Sequence, residues 1–175
     1  MVKNKILFKK SQGFTLLEIL VAMSIVGILI TMAYPMFKTS MVNNRLYSEA
    51  SQTTNIITLA RSEAIKRNDY VTICPTNDGT TCLIGNDFQT GTIIFLNSAQ
   101  TGLSTTDQII KVFNKWTQID KGKLANGNFI TFSADGRSNI TNSILVCKAT
   151  YPSFSIALHA SGRIKMSSNT GDGGC

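Results

Sequence analysis

The sequence predicts an α+β chain: one long N-terminal helix, membrane-spanning in its first half, packed in its distal half against a C-terminal antiparallel β head. Three observations predict it. From Phe14 to Phe37 nearly every residue is apolar, and Glu18 is the only charged residue between Lys10 and Lys38. Beyond that run, apolar and small residues recur every three or four positions. From Tyr70 onward, β-branched and aromatic clusters alternate with turn-forming dipeptides. The chain has 175 residues, 43% of them hydrophobic and 15% charged. That excludes a disordered chain and leaves room for one ordinary domain with an appendage.

The first element is a basic leader. Lys3, Lys5, Lys9 and Lys10 precede the apolar run. At about 1.5 Å of rise per helical residue, roughly 20 residues cross a hydrocarbon core of about 30 Å, so the run is long enough to span a bilayer. The four lysines favour a cytoplasmic N-terminus and an exported remainder. A cleaved secretory signal peptide fits poorly, because the run is long and no small-x-small cleavage site follows it. A plain anchor leaves Glu18 unexplained, since an unpaired carboxylate at membrane depth costs roughly 2.5–3.5 kcal/mol.

The second element continues the helix. Pro35 lies at the distal end of the apolar run, where its missing N–H and its ring kink a helix or loosen the preceding turn. Leu46, Ala50, Thr53, Ile57, Ala60 and Ala64 then form one stripe at spacings of three and four. Ile56 flanks the stripe and Leu59 falls outside it. Arg45, Glu49, Arg61, Glu63 and Lys66 lie mostly elsewhere, as on an amphipathic helix that packs under a sheet. The helix is expected to run over 14–67 and to end near Asn68, because Tyr70–Cys74 is β-branched and aromatic.

The head, 68–175, reads as strands and turns. The expected strands are Tyr70–Cys74, Thr92–Leu96, Ile109–Phe113, Phe129–Phe132, Ser143–Cys147, Phe154–Leu158 and Arg163–Met166. Asp78-Gly79, Gly85-Asn86, Asn126-Gly127 and Asp135-Gly136 mark turns.

These residues carry a family resemblance. KKSQGFTLLEILVAMSIVGIL resembles the class III signal sequence of type IV pilins and type II secretion pseudopilins. The resemblance implies a pilin-like fold and a leader, 1–13, cut between Gly13 and Phe14 by prepilin peptidase, which would also N-methylate Phe14. It further implies that Glu18 meets the new N-terminal amine of a neighbouring subunit; a buried charge pair is tolerable where a lone charge is not, so the pairing can set the register of assembly. FSADGR at Phe132–Arg137 and IALHASGRIK at Ile156–Lys165 resemble the C-terminal region of GspH/FimT-type minor pilins and pseudopilins. The implied partners are other pilins and minor pilins through the N-terminal helix, the peptidase, and the bacterial inner membrane before assembly. The implied location is a single pass of the inner membrane with a periplasmic head, then a pilus on the cell surface.

Cys74, Cys82, Cys147 and Cys175 all follow the anchor and so lie on the exported side, where disulfides form. Four cysteines allow three connectivities. Cys74–Cys82, closing a short loop, and Cys147–Cys175, holding the Gly-rich tail, are the favoured pairs. Metal binding would need C-x₂₋₄-C spacing or histidine partners, and neither is present. His159, the single histidine, has no acid nearby in sequence and no nucleophile elbow. With no phosphate-binding loop or carboxylate cluster either, the chain is read as a non-enzyme that needs no cofactor.

The net charge of +7 is uneven. Removing the leader leaves 13 basic and 10 acidic residues, a net of +3. Residues 14–110 carry −2, and residues 111–175 carry +5. A basic head suits phosphate backbones. FimT-type minor pilins are associated with DNA capture in natural transformation, through a C-terminal Gly-Arg-x-Arg motif. The matching residues here are Gly162, Arg163, Ile164 and Lys165. Lysine in the last place keeps the charge and loses bidentate geometry. On the expected strand Arg163 and Lys165 share one face and Ile164 points to the core. Arg163 and Lys165 are therefore the leading DNA-binding candidates, with Arg137, Lys121 and Lys123 behind them. The resemblance thus points to a minor pilin at or near the tip of a type IV pilus. Its rivals are a pilus-priming subunit without DNA affinity and a minor pseudopilin of a type II secretion system.

Overall fold

The computed structural model describes residues 13–83, 85, 87–97, 108–115, 121–125 and 127–169, with Lys121 described in its backbone alone. The chain divides into two compact units, Met1–Ser40 and Met41–Cys175.

Helix α1, Leu16–Arg67, contributes to both units. Thr15 caps it: the Thr15 hydroxyl accepts the Glu18 N–H at 3.3 Å, satisfying one of the free donors of the first turn. Glu18 places a negative charge at that same N-terminus, where the helix dipole favours it. Within the first unit the apolar side chains from Leu16 to Phe37 are exposed. This part of the helix is long and apolar enough to cross a membrane. Pro35 lies inside α1 and does not end it. The helix stops through a left-handed residue, Asn68, at φ 53°. The Asn68 and Asp69 N–H groups donate to the carbonyls of Ile65 and Ala64. This is a Schellman-type ending, with asparagine where glycine is more usual.

The second unit holds two four-stranded antiparallel sheets. β1 (Val71–Pro75), β2 (Thr92–Leu96), β3 (Ile109–Phe113) and β5 (Ile130–Phe132) form one, in the order β3-β2-β1-β5. β4 (Lys121–Leu124), β6 (Asn142–Cys147), β7 (Ser153–Leu158) and β8 (Ile164–Asn169) form the other, in the order β4-β6-β7-β8. A 3₁₀ turn, Phe88–Thr90, precedes β2 and is capped by the Asp87 carboxylate on the Gln89 N–H.

The core lies where the helix stripe meets both sheets. Leu46, Ala50, Ile56, Ile57, Ala60 and Ala64 cluster with Val71, Ile73, Ile94, Ile130 and Phe132 of one sheet and with Ile144, Val146, Ile156 and Leu158 of the other. The three alanines let the helix backbone approach the strands closely. Ile56 is buried in this seam and Leu59 packs half-buried at its edge, so the buried face is wider than the predicted stripe. The outer face of the first sheet is also filled: Cys74, Ile93 and Phe95 pack with Cys82 and Phe129. Beside them the Asn97 amide donates to Thr72 Oγ1, which shares a hydrogen bond with Thr131 Oγ1 at 2.7 Å.

Two strands differ from the sequence reading. β4 lies where no strand was expected, because KGKL carries two lysines and a glycine and lacks β-branched residues. Pairing with β6, from Lys121↔Cys147 to Leu124↔Ile144, supplies what local preference does not. The last strand is Ile164–Asn169 rather than Arg163–Met166. As an edge strand with one wet face it tolerates a serine run that reads as loop. The other expected strands match within a residue at each end.

Candidate nucleic-acid interface

Two turns carry the arginine candidates. In the first, Ser133 and Arg137 are bridged by a Ser133 N–H to Arg137 carbonyl bond of 2.9 Å, and Gly136 donates to the Ser133 carbonyl at 2.8 Å. Asp135 organises this turn: its carboxylate accepts the Ser133 hydroxyl and, at 3.1 Å, the Arg137 N–H. Those two bonds hold the Asp135 carboxyl below the usual carboxylate range, the Ser133 hydroxyl contributing most. In the second turn, Gly162 donates to the His159 carbonyl at 2.8 Å and His159 donates to the Arg163 carbonyl at 2.9 Å.

The two turns touch. Ser138 N–H donates to the Ala160 carbonyl at 3.0 Å. Gly136 and Gly162 have φ near +76° and +77°, the left-handed region that glycine enters freely. A Cβ on Gly162 would collide with the Gly136 carbonyl oxygen and with the Arg61 guanidinium. Arg61 joins the pair from α1: Nε donates to the Gly136 carbonyl at 3.0 Å and Nη2 to the Ser161 carbonyl at 3.3 Å. In the sequence Arg61 is one of the charges off the stripe. Its partners are backbone carbonyls far away in the chain, which leave no residue pattern to read.

The candidate cations then fall into two places. Arg163 is exposed and leads into β8, and Lys165 is exposed on β8 with Ile164 half-buried against the core. Among the described residues neither makes an ion pair. Arg137 is exposed, with Nε 3.4 Å from the Asp135 carboxylate. An ion pair this open to solvent is weak. Lys121 and Lys123 are both on β4, the edge opposite β8. The Lys123 side chain is exposed, and that of Lys121 lies outside the described residues. The structure therefore brings Arg137 near the Gly162-Arg163 turn and sets the β4 lysines across the sheet from it.

The other predicted positions are also placed. Cys74 and Cys82 form a disulfide with Cα atoms 5.6 Å apart. Cys147 is disulfide-bonded, and its expected partner Cys175 lies outside the described residues. Within the Cys74–Cys82 loop, Asp78 accepts the N–H groups of Thr80 and Thr81, each at 2.8 Å, and the Thr81 hydroxyl. These bonds, the two backbone ones foremost, push the Asp78 carboxyl far below its ordinary value. Gly13 and Phe14 precede α1, and the Phe14 side chain is exposed. His159 is exposed. Among the described residues no cluster of three or more His, Cys, Asp or Glu side chains is placed to hold a metal ion.

Comparison with known proteins bears on both the N-terminal segment and the head. A family model described as type II transport protein GspH matches residues 49–168. A model of the prokaryotic N-terminal methylation motif matches residues 8–34. Two crystal structures of the type IV minor pilin FimU of Pseudomonas aeruginosa (strain PAO1) share the fold. The one in space group P21 aligns with a TM-score of 0.58 at 20% identity, over 71% of this chain and 90% of that chain. The one in space group P65 aligns with a TM-score of 0.55 at 18% identity, over 69% and 91%. No curated protein matches. The long apolar helix, the antiparallel head and the two family matches agree: the chain belongs to the GspH family and has a pilin-like fold.

Proposed function

We propose that the chain is a minor pilin of a type IV pilus, built into the filament at or near its tip, whose head binds DNA without sequence preference and serves DNA uptake. Prepilin peptidase cuts the leader between Gly13 and Phe14 and methylates the new amine. The mature subunit waits in the inner membrane, spanned by the first half of α1 with its head in the periplasm. Glu18 pairs with the N-terminus of a neighbouring subunit as the helix passes into the filament core. The disulfides keep the exported head folded outside the cytoplasm.

One observation carries the DNA reading: Arg163 and Lys165 stand exposed on a head whose basic half has few acids, at the start of β8 beside a turn that Arg61 fixes from α1. Lysine and arginine neutralising phosphates release condensed counterions, so affinity should fall steeply with salt. With two to four phosphate contacts the log–log slope is roughly −2 to −4. The test is a mobility shift with the detergent-solubilised full chain and random-sequence DNA. Salt-sensitive binding weakened by Arg163→Gln with Lys165→Gln is expected. No shift at low ionic strength, or equal binding by the double variant, refutes the DNA role.

A second reading has its own support. The matching family model is described by type II transport, which favours a minor pseudopilin of a secretion system. Deleting the gene separates the two: loss of DNA uptake supports the pilus reading, and loss of protein secretion supports the other.

A further inference from the structure

We propose that the outer face of the β4-β6-β7-β8 sheet is a platform for duplex DNA, gripped by cations on both of its edges. The inference rests on the DNA reading above and says which surface and which form of DNA are involved.

Register defines the face. Lys123 pairs with Leu145, Leu145 with Ser155, and Ser155 with Ser167. In the next row Ser143 pairs with Ala157, and Ala157 with Lys165. Side chains alternate along a strand. Leu124, Ile144, Val146, Ile156, Leu158 and Ile164 all belong to the core cluster or pack against it. The odd-numbered residues of these strands therefore share the outer face, which is closed at the end where Cys147 and Ser153 are buried and open over the rows of Lys123, Ser143, Leu145, Ser155, Ala157, Lys165 and Ser167. Its middle is a shallow floor of Ser143, Leu145, Ser155 and Ala157, each half-exposed. Lys123 rises from one edge and Lys165 from the other. Arg163, bonded through its carbonyl to His159 N–H, extends the β8 edge.

Spacing and chemistry select the ligand. Three inter-strand steps of about 4.8 Å put the two edges about 14 Å apart. No acidic residue occurs in any of the four strands; Asp87, bridged to Lys123 beside β4, has its carboxylate engaged by the Gln89 N–H at 3.0 Å. Their single aromatic residue, Phe154, packs against the core and meets Tyr47 edge to face with ring centroids 5.9 Å apart. Single strands are held without sequence preference by stacking bases on aromatic side chains. These strands offer no such ring on their outer face. A duplex presents two phosphate backbones on one rigid body, separated by a minor groove only about 6 Å wide. Lysines leaning in from both edges meet one backbone each, and the serine hydroxyls of the floor face the groove between them, within reach of sugar and base-edge acceptors.

The test measures fluorescence anisotropy of a labelled random duplex, and of its separate strands, against the detergent-solubilised full chain over a range of salt. The duplex should bind more tightly than either strand. Lys123→Gln should weaken duplex binding several-fold and flatten the log–log salt slope by about 0.9, although it is on the edge away from Arg163. Lys165→Gln should do the same. Ser155→Glu, which leaves every cation in place and sets a carboxylate mid-floor, should weaken binding at least as much. If Lys123→Gln and Ser155→Glu bind as the parent does while the Arg163/Lys165 pair is required, binding runs along the β8 edge alone: the platform is refuted and the DNA reading stands. Equal or tighter binding of single strands also refutes the platform. No binding by the parent chain refutes the DNA reading itself.

Discussion

Gly162 and Gly127 adopt nearly the same φ, +77° and +76°, but only Gly162 has neighbours where a Cβ would stand. Both glycine-to-alanine changes should cost the left-handed penalty of roughly 1–2 kcal/mol. Gly162→Ala must also displace the Gly136 carbonyl or Arg61, so denaturant unfolding of the solubilised chain should show it clearly less stable than Gly127→Ala. Equal losses would mean the two turns are not in contact. Asp78 makes a pH prediction. Its folded pKa is depressed below the ordinary 3.8 by the Thr80 and Thr81 N–H groups, so its contribution is fully present above that value. It is lost as pH falls through the folded pKa. The stability difference between the parent and Asp78→Ala should therefore shrink as pH is lowered below about 4. At this scale the sequence was unevenly legible. Arg163 and Lys165 stand out through their resemblance to the Gly-Arg-x-Arg motif, and their two-residue spacing suits one face of a strand. Arg61 does not, because a residue that binds only carbonyls looks like any solvated charge on a helix.

At the scale of elements, two ties can be weighed against each other. The Cys74–Cys82 bond closes a short loop, separation eight, for which chain-entropy arguments give about 2.5 kcal/mol. Changing both cysteines to serine should lower unfolding stability by about that amount and loosen the turn around Asp78. Arg61→Ala should cost about 1–3 kcal/mol through two charge-assisted bonds to carbonyls. Arg67→Ala, which breaks only the 2.7 Å pair with Glu63 on the surface of α1, should cost about 0.3–0.5 kcal/mol. Unfolding curves for both variants check the order; an Arg61→Ala loss no larger than the Arg67→Ala loss would show that the turns hold without the helix. The helix seam was readable because a 3.6-residue period survives in Leu46, Ala50, Ile57, Ala60 and Ala64. β4 was not, since KGKL becomes a strand only by pairing with β6. The floor between the edges also needed the fold, because register alone sets Lys123, Ser155 and Lys165 on one face.

For the whole molecule, the +7 of the full chain is unevenly placed. Four lysines precede the apolar run, a position that favours a cytoplasmic N-terminus, and the remaining excess is concentrated after residue 110. The fold class was legible because a single 24-residue apolar run and a strand-and-turn remainder admit few architectures. Glu18→Gln should insert at least as readily, having lost the cost of a charge, yet reach the filament poorly; the subunit's abundance in sheared pili against membranes checks this. If the chain is a processed pilin-like subunit, intact-mass spectrometry of the protein from cells containing prepilin peptidase should find a mature form that begins at N-methylated Phe14. A Gly13→Val variant should accumulate at full length. A parent chain that keeps residues 1–13 in the presence of the peptidase would contradict this processing.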